Sequence, residues 1–266
     1  MCRHLAYLGP PVALRSVLTD PPFGLYRQSW APRQQRHGAV NADGFGIGWY
    51  ADGDPVPARY RRAVPIWGDA SLPDLARVIR SGAVLAAVRS ATPGMALGEA
   101  AVAPFAAGNW LFSHNGVLSG WPASAQPLAV RTDVSVLELE AMVDSAFLWA
   151  LVLGRLRSGA PGDVALAATI SAVEAAGGSG RFNFLLTDGR SVAATAAGDT
   201  LWYRQGDAAV TVASEPGDDE PGWTQVPDRH VLSVVSPGNT GLSGKTGPSA
   251  VTVRPLTAVT EGTLIR

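Results

Sequence analysis

The chain has 266 residues, a formal net charge of −1, 47% hydrophobic residues and a single cysteine. This length allows one large domain or two small ones with a substantial core, and the balanced charge without a basic run argues against nucleic acid as a partner. One cysteine excludes an internal disulfide and a cysteine-rich zinc site, and the scattered histidines do not have the spacing of metal ligands.

No apolar run in the sequence reaches the roughly 18–20 residues of a membrane span, and the first residues lack the charged, apolar and cleavage regions of a signal peptide. We therefore expect a cytoplasmic protein without a membrane partner. No linker divides the sequence, so residues 1–266 are interpreted as one domain, without a second unit to receive a product.

The chain opens with Met1-Cys2-Arg3, which contains its one cysteine. Because the initiator methionine is usually removed before a small residue, we expect the mature chain to begin with Cys2. Its α-amine, with an ordinary pKa of roughly 7.7–8.0, would lie beside the thiol and is well matched to accept the thiol proton. Residues 2–8 alternate like a buried strand, which would hold such a nucleophile rigidly. The alternative is a chance cysteine in a frayed terminus.

The segment after this strand is expected to be irregular. Pro10-Pro11 is predicted to end the strand, and residues 12–18 to form a short helix. Residues 19–42 form a long polar connection that we expect to border a site, because long loops in compact domains are often functional. Within this connection, Trp30, Arg33 and Arg36 are candidates to line the pocket for a leaving group.

Two strands in the middle of the chain end in polar residues. Residues 83–88 run into Arg89-Ser90-Ala91-Thr92, and residues 110–112 run into Ser113-His114-Asn115-Gly116, where the Asn-Gly dipeptide predicts a turn. The other predicted elements are strands over 45–50 and 59–63, a helix over 71–81 capped by Ser71 and ended by Gly82, helices over 145–157 capped by Asp144 and over 163–176, hairpins of 182–186 with 192–196 and of 200–204 with 209–214, and strands over 230–235 and 251–255. This order indicates an α+β fold of two stacked, mainly antiparallel sheets with helices outside.

The polar strand ends and Cys2 together fit the chemistry of a cysteine that attacks an amide. The side-chain amide of Asn115 and the backbone N–H of Gly116 are suitable donors for a tetrahedral oxyanion. Arg89 suits an α-carboxylate, and Asp144 suits an α-ammonium group. Each feature also has a structural alternative, since Asn-Gly is a common turn, Arg89 can be a surface charge and Asp144 a helix cap. His114 is interpreted as structural, and Asp133 is the competing carboxylate for the ammonium group.

Five segments occur in the order found in class II glutamine amidotransferases: 1–7 (MCRHLAY), 41–46 (NADGFG), 89–92 (RSAT), 112–116 (FSHNG) and 144–145 (DS). The sequence thus resembles this family of N-terminal nucleophile hydrolases, which implies a four-layer αββα sandwich. Within the family it is most similar to the stand-alone γ-glutamyl-hercynylcysteine S-oxide hydrolases of ergothioneine biosynthesis, on the segments 1–11, 41–50, 89–95 and 214–216. Ammonia-channelling members often carry Trp and His where this sequence has Ser90 and Pro93, which is compatible with a larger leaving group.

The resemblance implies a role for each matching position: nucleophile and α-amine base at Cys2, oxyanion donors at Asn115 and Gly116, α-carboxylate binding at Arg89 beside Thr92, and α-ammonium binding at Asp144. It also implies hydrolysis of a γ-glutamyl amide without a metal or cofactor. The expected partner is a small-molecule γ-glutamyl substrate, and a homodimer is left open. The alternatives are a glutaminase subunit that supplies ammonia to a separate synthase, and a non-catalytic member that binds a glutamyl ligand or a partner protein.

Overall fold

The computed structural model describes residues 2–131, 139–235 and 250–256. The strands in these residues are β1 (Arg3–Ala13), β2 (Phe45–Trp49), β3 (Ala58–Arg62), β4 (Arg80–Val88), β5 (Phe105–Ala107), β6 (Trp110–Leu118), β7 (Gly180–Thr187), β8 (Ser191–Ala196), β9 (Trp202–Gln205), β10 (Val210–Ala213), β11 (Trp223–Gln225), β12 (His230–Val235) and β13 (Ala250–Pro255). The helices are α1 (Arg15–Leu18), α2 (Leu25–Gln28), α3 (Leu72–Val78), α4 (Gln126–Arg131), α5 (Asp144–Arg157) and α6 (Gly162–Ala175). In these parts of the chain, no helix has the length and apolar character needed to cross a bilayer.

The strands form two antiparallel sheets that stack on each other. Sheet 1 has the order β11-β9-β10-β1-β4-β2-β3, and sheet 2 has the order β13-β12-β8-β7-β6-β5. Strands β1 and β4 contact β6 and β7 across the interface, helices α1, α2 and α3 contact the outer face of sheet 1 at β1, and α5 and α6 contact the outer face of sheet 2. These layers confirm the predicted α+β sandwich of two antiparallel sheets with helices outside.

The central strands are buried on both faces, which explains their nearly continuous apolar runs. In β1, Ala6 and Leu8 point into the core between the sheets, whereas Leu5 and Tyr7 point toward the outer helices. In β4, Leu85 belongs to the inner core and its neighbours alternate in the same way. This alternation fixes which polar residues at the strand ends face the space between the sheets.

Strand β1 continues through the two prolines that were predicted to end it. Its pairing with β4 shifts register between Leu8 and Val12, and it resumes with Val12 opposite Ser81. Proline has no N–H to donate to a ladder and is tolerated at such irregularities. The helix predicted over 12–18 is therefore reduced to α1.

The predicted helix over 71–81 is shorter in the structure, where it forms α3, because the residues after it pair as β4. Asp69 Oδ1, and not the Ser71 side chain, accepts the first backbone N–H groups, from Ser71 at 2.9 Å and Leu72 at 3.0 Å. Gly82 does not end the helix but lies within β4, where a Cβ atom would come within 2.7 Å of the Gly9 carbonyl oxygen. Close approach of two strands thus requires this glycine.

The turn predicted at Asn115-Gly116 is wrong. Strand β6 runs through both residues, and they pair with Asn183 and Phe182 of β7. Tertiary pairing overrides the local preference of the dipeptide. A Cβ at Gly116 would overlap the Arg181 carbonyl oxygen, so glycine is required here for packing inside a sheet.

The C-terminal half follows the prediction closely. The two predicted hairpins form as β7 with β8 and as β9 with β10, and the last two predicted strands are present as β12 and β13, which pair with each other. Helices α5 and α6 are present within one or two residues of their predicted bounds. The cap of α5 is displaced by one position, because Val143 is the N-cap residue and Asp144 is the first residue of the helix. The short strands β5 and β11 were not predicted.

Candidate active site

The register of sheet 1 places Cys2 beside Arg89. Arg3 lies opposite Val88 in the pairing of β1 with β4, so the next pair outward is Cys2 and Arg89. Cys2 lies four residues before Ala6, and Arg89 four residues after Leu85, so both side chains are directed toward the space between the sheets. The half-buried Cys2 thiol lies 4.0 Å from the Ser90 carbonyl oxygen, to which it can donate.

Asn115 reaches the same space from sheet 2. It follows Leu111 by four residues in β6 and so faces inward, and it is fully buried. Its Nδ2 donates to Ser214 Oγ at 3.4 Å, and Ser214 Oγ accepts the backbone N–H of His4 at 3.0 Å. Ser214 thus connects Asn115 of one sheet to the nucleophile strand of the other, two residues from Cys2.

Three polar groups at this place have hydrogen-bonding capacity left, one of them the buried His4 Nε2 atom, which has no partner among the described residues. The Arg89 guanidinium donates through Nη2 to the Ala96 carbonyl oxygen at 2.9 Å, while Nη1 is buried and has no hydrogen-bond partner among the described residues. The same holds for Asn115 Oδ1. Buried polar atoms in this condition cost free energy and are typical of sites that bind a polar ligand. The inner end of β1, β4 and β6 is therefore the candidate active site.

His4 lies in the same layer but is a poor acid or base. Its Nδ1 lies 3.2 Å from Ser113 Oγ, and the side chain is fully buried. Burial lowers the pKa of His4 well below its ordinary value, and the positive charges of His114 and Arg3 act in the same direction. A neutral imidazole of such low basicity cannot take a thiol proton efficiently near pH 7. The α-amine of Cys2 remains the base that suits this role.

His114 faces the other side of sheet 2, where Asp144 begins helix α5. Asp144 is 6% exposed, and its Oδ2 accepts the Leu118 N–H at 2.9 Å while its Oδ1 accepts the Ser145 N–H at 2.7 Å. His114 Nδ1 lies 3.0 Å from Ser145 Oγ, and its Nε2 donates to the Arg181 carbonyl oxygen at 2.9 Å. Among the described residues, no hydrogen bond or ion pair joins Asp144 to the cluster around Cys2. Its competitor Asp133 lies outside the described residues.

Thr92 is at the surface, in the segment that follows β4. Its carbonyl oxygen accepts the Met95 N–H at 3.0 Å. Asp43, from the NADGFG segment, fixes the start of this turn: its N–H donates to the Arg89 carbonyl oxygen at 2.9 Å, and its Oδ2 accepts the Ala91 N–H at 2.8 Å. Asp43 therefore positions the backbone on both sides of Ser90, a role that had no signal in the sequence.

The long connection over 19–42 does reach the nucleophile strand, through Gln35. The Gln35 Oε1 atom accepts the Arg3 Nε–H at 3.2 Å. The predicted pocket residues behave differently: the ring of Trp30 packs edgewise on Tyr26 and Trp67, and the Arg33 guanidinium pairs with Asp219 at 2.7 Å.

Sequence reasoning missed the roles of Gln35, Ser214 and Glu215. Ser214 and Glu215 follow β10 directly and continue its alternation, so that Ser214 faces inward and Glu215 faces outward. Two successive polar residues at the end of an apolar strand are a signal that sequence reading can use, as it did for Arg89.

The family model for class-II glutamine amidotransferases matches residues 15–214. The chain is 45% identical over 238 residues to the gamma-glutamyl-hercynylcysteine sulfoxide hydrolase of Mycolicibacterium smegmatis, an alignment that covers 88% of this chain and 96% of the relative. The protein of the same name from Mycobacterium tuberculosis is 45% identical over 240 residues, or 90% of this chain and 95% of the relative.

A solved structure described as a glutamine aminotransferase class-II domain protein from Silicibacter pomeroyi superposes with a TM-score of 0.65. It is 25% identical, and the superposition covers 95% of this chain and 98% of that one. The order of strands, the inward-facing cluster at Cys2 and the matches over most of the sequence agree with one another. The chain belongs to the family of class-II glutamine amidotransferases.

Proposed function

We propose that the protein hydrolyses the γ-glutamyl amide bond of γ-glutamyl-hercynylcysteine sulfoxide, releasing glutamate and hercynylcysteine sulfoxide. The observation that carries this proposal is the position of Cys2 one residue beyond the Arg3–Val88 pair, at the start of the strand whose His4 N–H shares Ser214 Oγ with the Asn115 amide. The two mycobacterial relatives named above support the choice of substrate. The substrate is a small molecule with an α-carboxylate, an α-ammonium group and a γ-carbonyl carbon. Arg89 is complementary to the α-carboxylate, and Cys2 is the nucleophile for the γ-carbonyl carbon.

In the proposed mechanism, removal of Met1 exposes the α-amine of Cys2. This amine takes the thiol proton while the sulfur attacks the γ-carbonyl carbon, and the Asn115 amide and Gly116 N–H stabilise the oxyanion. The tetrahedral intermediate collapses as the leaving amine takes the proton from the ammonium group, which leaves a thioester on Cys2. Water then attacks the thioester with the α-amine as base, and the second intermediate releases glutamate and restores the thiol.

Arg89 is proposed to hold the α-carboxylate of the glutamyl group. Its Nη1 atom is buried and has no hydrogen-bond partner within the described residues, while Nη2 is fixed on the Ala96 carbonyl oxygen. A planar guanidinium held at one end can still form a charge-assisted hydrogen bond with a carboxylate through the other. This contact would fix the distance between the α-carbon and the nucleophile, since Arg89 and Cys2 each lie one residue beyond the Arg3–Val88 pair.

The experiment that tests the function is glutamate release from γ-glutamyl-hercynylcysteine sulfoxide and from L-glutamine, side by side at equal concentration. We expect a strong preference for the first substrate. Preference for L-glutamine, with a rate that rises when a synthase is added, would replace the proposal with the ammonia-supplying subunit. No release from either compound, together with an intact mass that retains Met1, would favour the non-catalytic alternative, because a blocked Cys2 has no α-amine base.

The carboxylate that holds the α-ammonium group can be identified by a pair of variants. Both oxygens of Asp144 already accept backbone N–H groups on the helix side of sheet 2. We therefore expect Asp144→Asn to lower the free energy of unfolding by about 1–3 kcal/mol and to leave KM nearly unchanged. We expect Asp133→Asn to lower kcat/KM by about 10²-fold or more, as loss of a charge-assisted contact does. Glutamate-release kinetics and urea unfolding measure both effects, and a raised KM in Asp144→Asn alone would reverse the assignment.

A further inference from the structure

A buried carboxylate holds the loop that precedes β2 against the end of β10. Glu215 is 1% exposed, and its Oε1 accepts the Arg33 N–H at 2.8 Å while its Oε2 accepts the Gln34 N–H at 2.7 Å. Two short hydrogen bonds to one carboxylate fix both the position and the direction of this loop backbone. The loop is thus attached to sheet 1 at the residue that follows Ser214.

The next residue of the loop contacts the residue that follows the nucleophile. Gln35 Oε1 accepts the Arg3 Nε–H at 3.2 Å and the Asn41 Nδ2–H at 3.0 Å, while Gln35 Nε2 donates to the His37 and Gly38 carbonyl oxygens, each at 3.1 Å. The Gln35 amide is therefore saturated and oriented. Arg3 itself is fully buried on the outer face of sheet 1.

The charges around Arg3 favour this arrangement. Burial lowers the pKa of Arg3, and the negative charges of Glu215 and Asp199 oppose that shift. Arg3 and Glu215 share the outer face, because the Ser214 N–H donates to the His4 carbonyl oxygen at 3.0 Å and continues the β1–β10 pairing. Glu215 therefore acts on Arg3 both through the loop and through its charge.

We propose that Glu215 is a positioning residue for the nucleophile, acting through the backbone of Arg33 and Gln34, the side chain of Gln35 and then Arg3. The inference rests on the proposed function, in which Cys2 becomes the first residue. A nucleophile at the end of a chain is held covalently from one side only. The thiol and the α-amine of Cys2 then depend on Arg3 for their position.

The two residues after β10 thus serve both faces of sheet 1. Ser214 contacts Asn115 on the inner face, and Glu215 fixes the loop over Arg3 on the outer face. Two adjacent residues, Ser214 and Glu215, thus set the position of the oxyanion donor Asn115 and the position of the nucleophile. Small displacements at either place are expected to affect the rate of the chemical step more than substrate binding.

The test is Glu215→Gln, which keeps the size of the side chain but turns one of its two acceptors into a donor that faces a backbone N–H. We expect kcat for the γ-glutamyl substrate to fall by about 10- to 100-fold, as for a misplaced reacting group, with KM changed by less than about threefold. We also expect trypsin to cleave the native protein faster after Arg33 and Arg36. An unchanged kcat, or a loss seen only in KM, overturns the proposal.

A second readout does not require a substrate. Because Cys2 is the one cysteine of the chain, its rate of alkylation by iodoacetamide reports on this thiol alone. We expect Glu215→Gln to change this rate at neutral pH, since the α-amine and thiol lose their fixed relation. An unchanged alkylation rate overturns the proposal. This readout is independent of the proposed function, because it can be measured even if the wild-type protein hydrolyses no γ-glutamyl compound.

Two further variants separate positioning from stability. Asp188→Asn is the matched control, because Asp188 accepts the backbone N–H groups of Arg190 at 3.0 Å and Ser191 at 2.8 Å in the β7–β8 hairpin. Asp188→Asn is expected to lower the free energy of unfolding about as much as Glu215→Gln does, without a change in kcat or in the alkylation rate of Cys2. Gln35→Ala leaves the Glu215 contacts in place and is expected to lower kcat as Glu215→Gln does. Wild-type kcat in Gln35→Ala, or an equal loss of kcat in Asp188→Asn, overturns the route through Arg3.

Discussion

Cys2→Ala is expected to lower kcat for γ-glutamyl hydrolysis by about 10⁴-fold or more, because no other group at the site can form the thioester. The neighbouring His4 is held neutral by burial, and its Nδ1 is engaged with Ser113. The fold should remain intact. The Cys2 side chain is half-buried, and among the described residues its one hydrogen bond is the 4.0 Å contact with Ser90, so the free energy of unfolding should change by less than about 1 kcal/mol.

Glutamate release and thermal unfolding, measured on the same preparation, test both parts of this prediction. Cys2→Ser is the informative comparison, since it keeps the α-amine and the size of the side chain but supplies a weaker nucleophile at neutral pH. It should retain more activity than Cys2→Ala and far less than wild type. An intact mass is needed for each variant, because retained Met1 would block the amine. Near-normal turnover by Cys2→Ala would remove the mechanism altogether.

The layer architecture could be predicted from sequence because the patterns that encode it are local and repeated. Apolar alternation places Leu5 and Tyr7 on one face of β1 and Ala6 and Leu8 on the other, and turn residues mark the hairpins. Chain order then allows few arrangements of two sheets and two long helices. Cys2 and Arg89 could be named because each lies at the end of such a strand.

The contacts between the sheets could not be predicted, because they join residues that are distant in sequence. Asn115 and Ser214 are 99 positions apart, and nothing local to either residue indicates their hydrogen bond. The same reasoning explains the wrong turn at Asn115-Gly116: the dipeptide favours a turn, but pairing with β7 along the whole of β6 stabilises a strand instead. The position of Glu215 beneath Arg33 and Gln34 likewise exists only in the folded chain.

Asp144 shows how one residue type serves two roles that sequence cannot separate. An aspartate before a helix is a helix-terminus signal and also a candidate ligand for an ammonium group. The alternation of side chains along β6 shows which side of sheet 2 it lies on. His114 and Asn115 are adjacent in β6 and face opposite sides of the sheet, and Asp144 lies with His114 on the helix side. A strand prediction that had included Asn115 would have placed His114 and Asn115 on opposite faces, but it would not have placed Asp144, which lies in α5.

Asn115→Ala is expected to lower kcat by about 10²- to 10³-fold with little change in KM, which is the cost of losing one oxyanion donor. The donor acts only when charge develops on the γ-carbonyl oxygen, so ground-state binding is nearly unaffected. The expected loss of stability is small, about 1 kcal/mol, because the variant removes a single long hydrogen bond of 3.4 Å while Ser214 Oγ keeps its contacts with His4.

The neighbouring strand offers a matched control for this variant. Asn183 lies opposite Asn115 in the β6–β7 pairing, but its amide is occupied by the backbone of residues 197–200. Asn183→Ala should therefore destabilise the protein more than Asn115→Ala and leave kcat of the folded fraction within about threefold of wild type. Kinetics and urea unfolding of both variants separate the two effects.

Ser214→Ala tests whether the position of the Asn115 amide matters as well as its presence. The variant keeps Asn115 but removes the hydroxyl that holds its Nδ2, so kcat should fall by about tenfold, less than in Asn115→Ala. In the double variant the two losses should not add, because the hydroxyl acts through the amide. Fully additive losses would mean that Ser214 acts elsewhere, through the backbone of β1. For the single variant Asn115→Ala, a wild-type kcat would place the oxyanion donors on other residues.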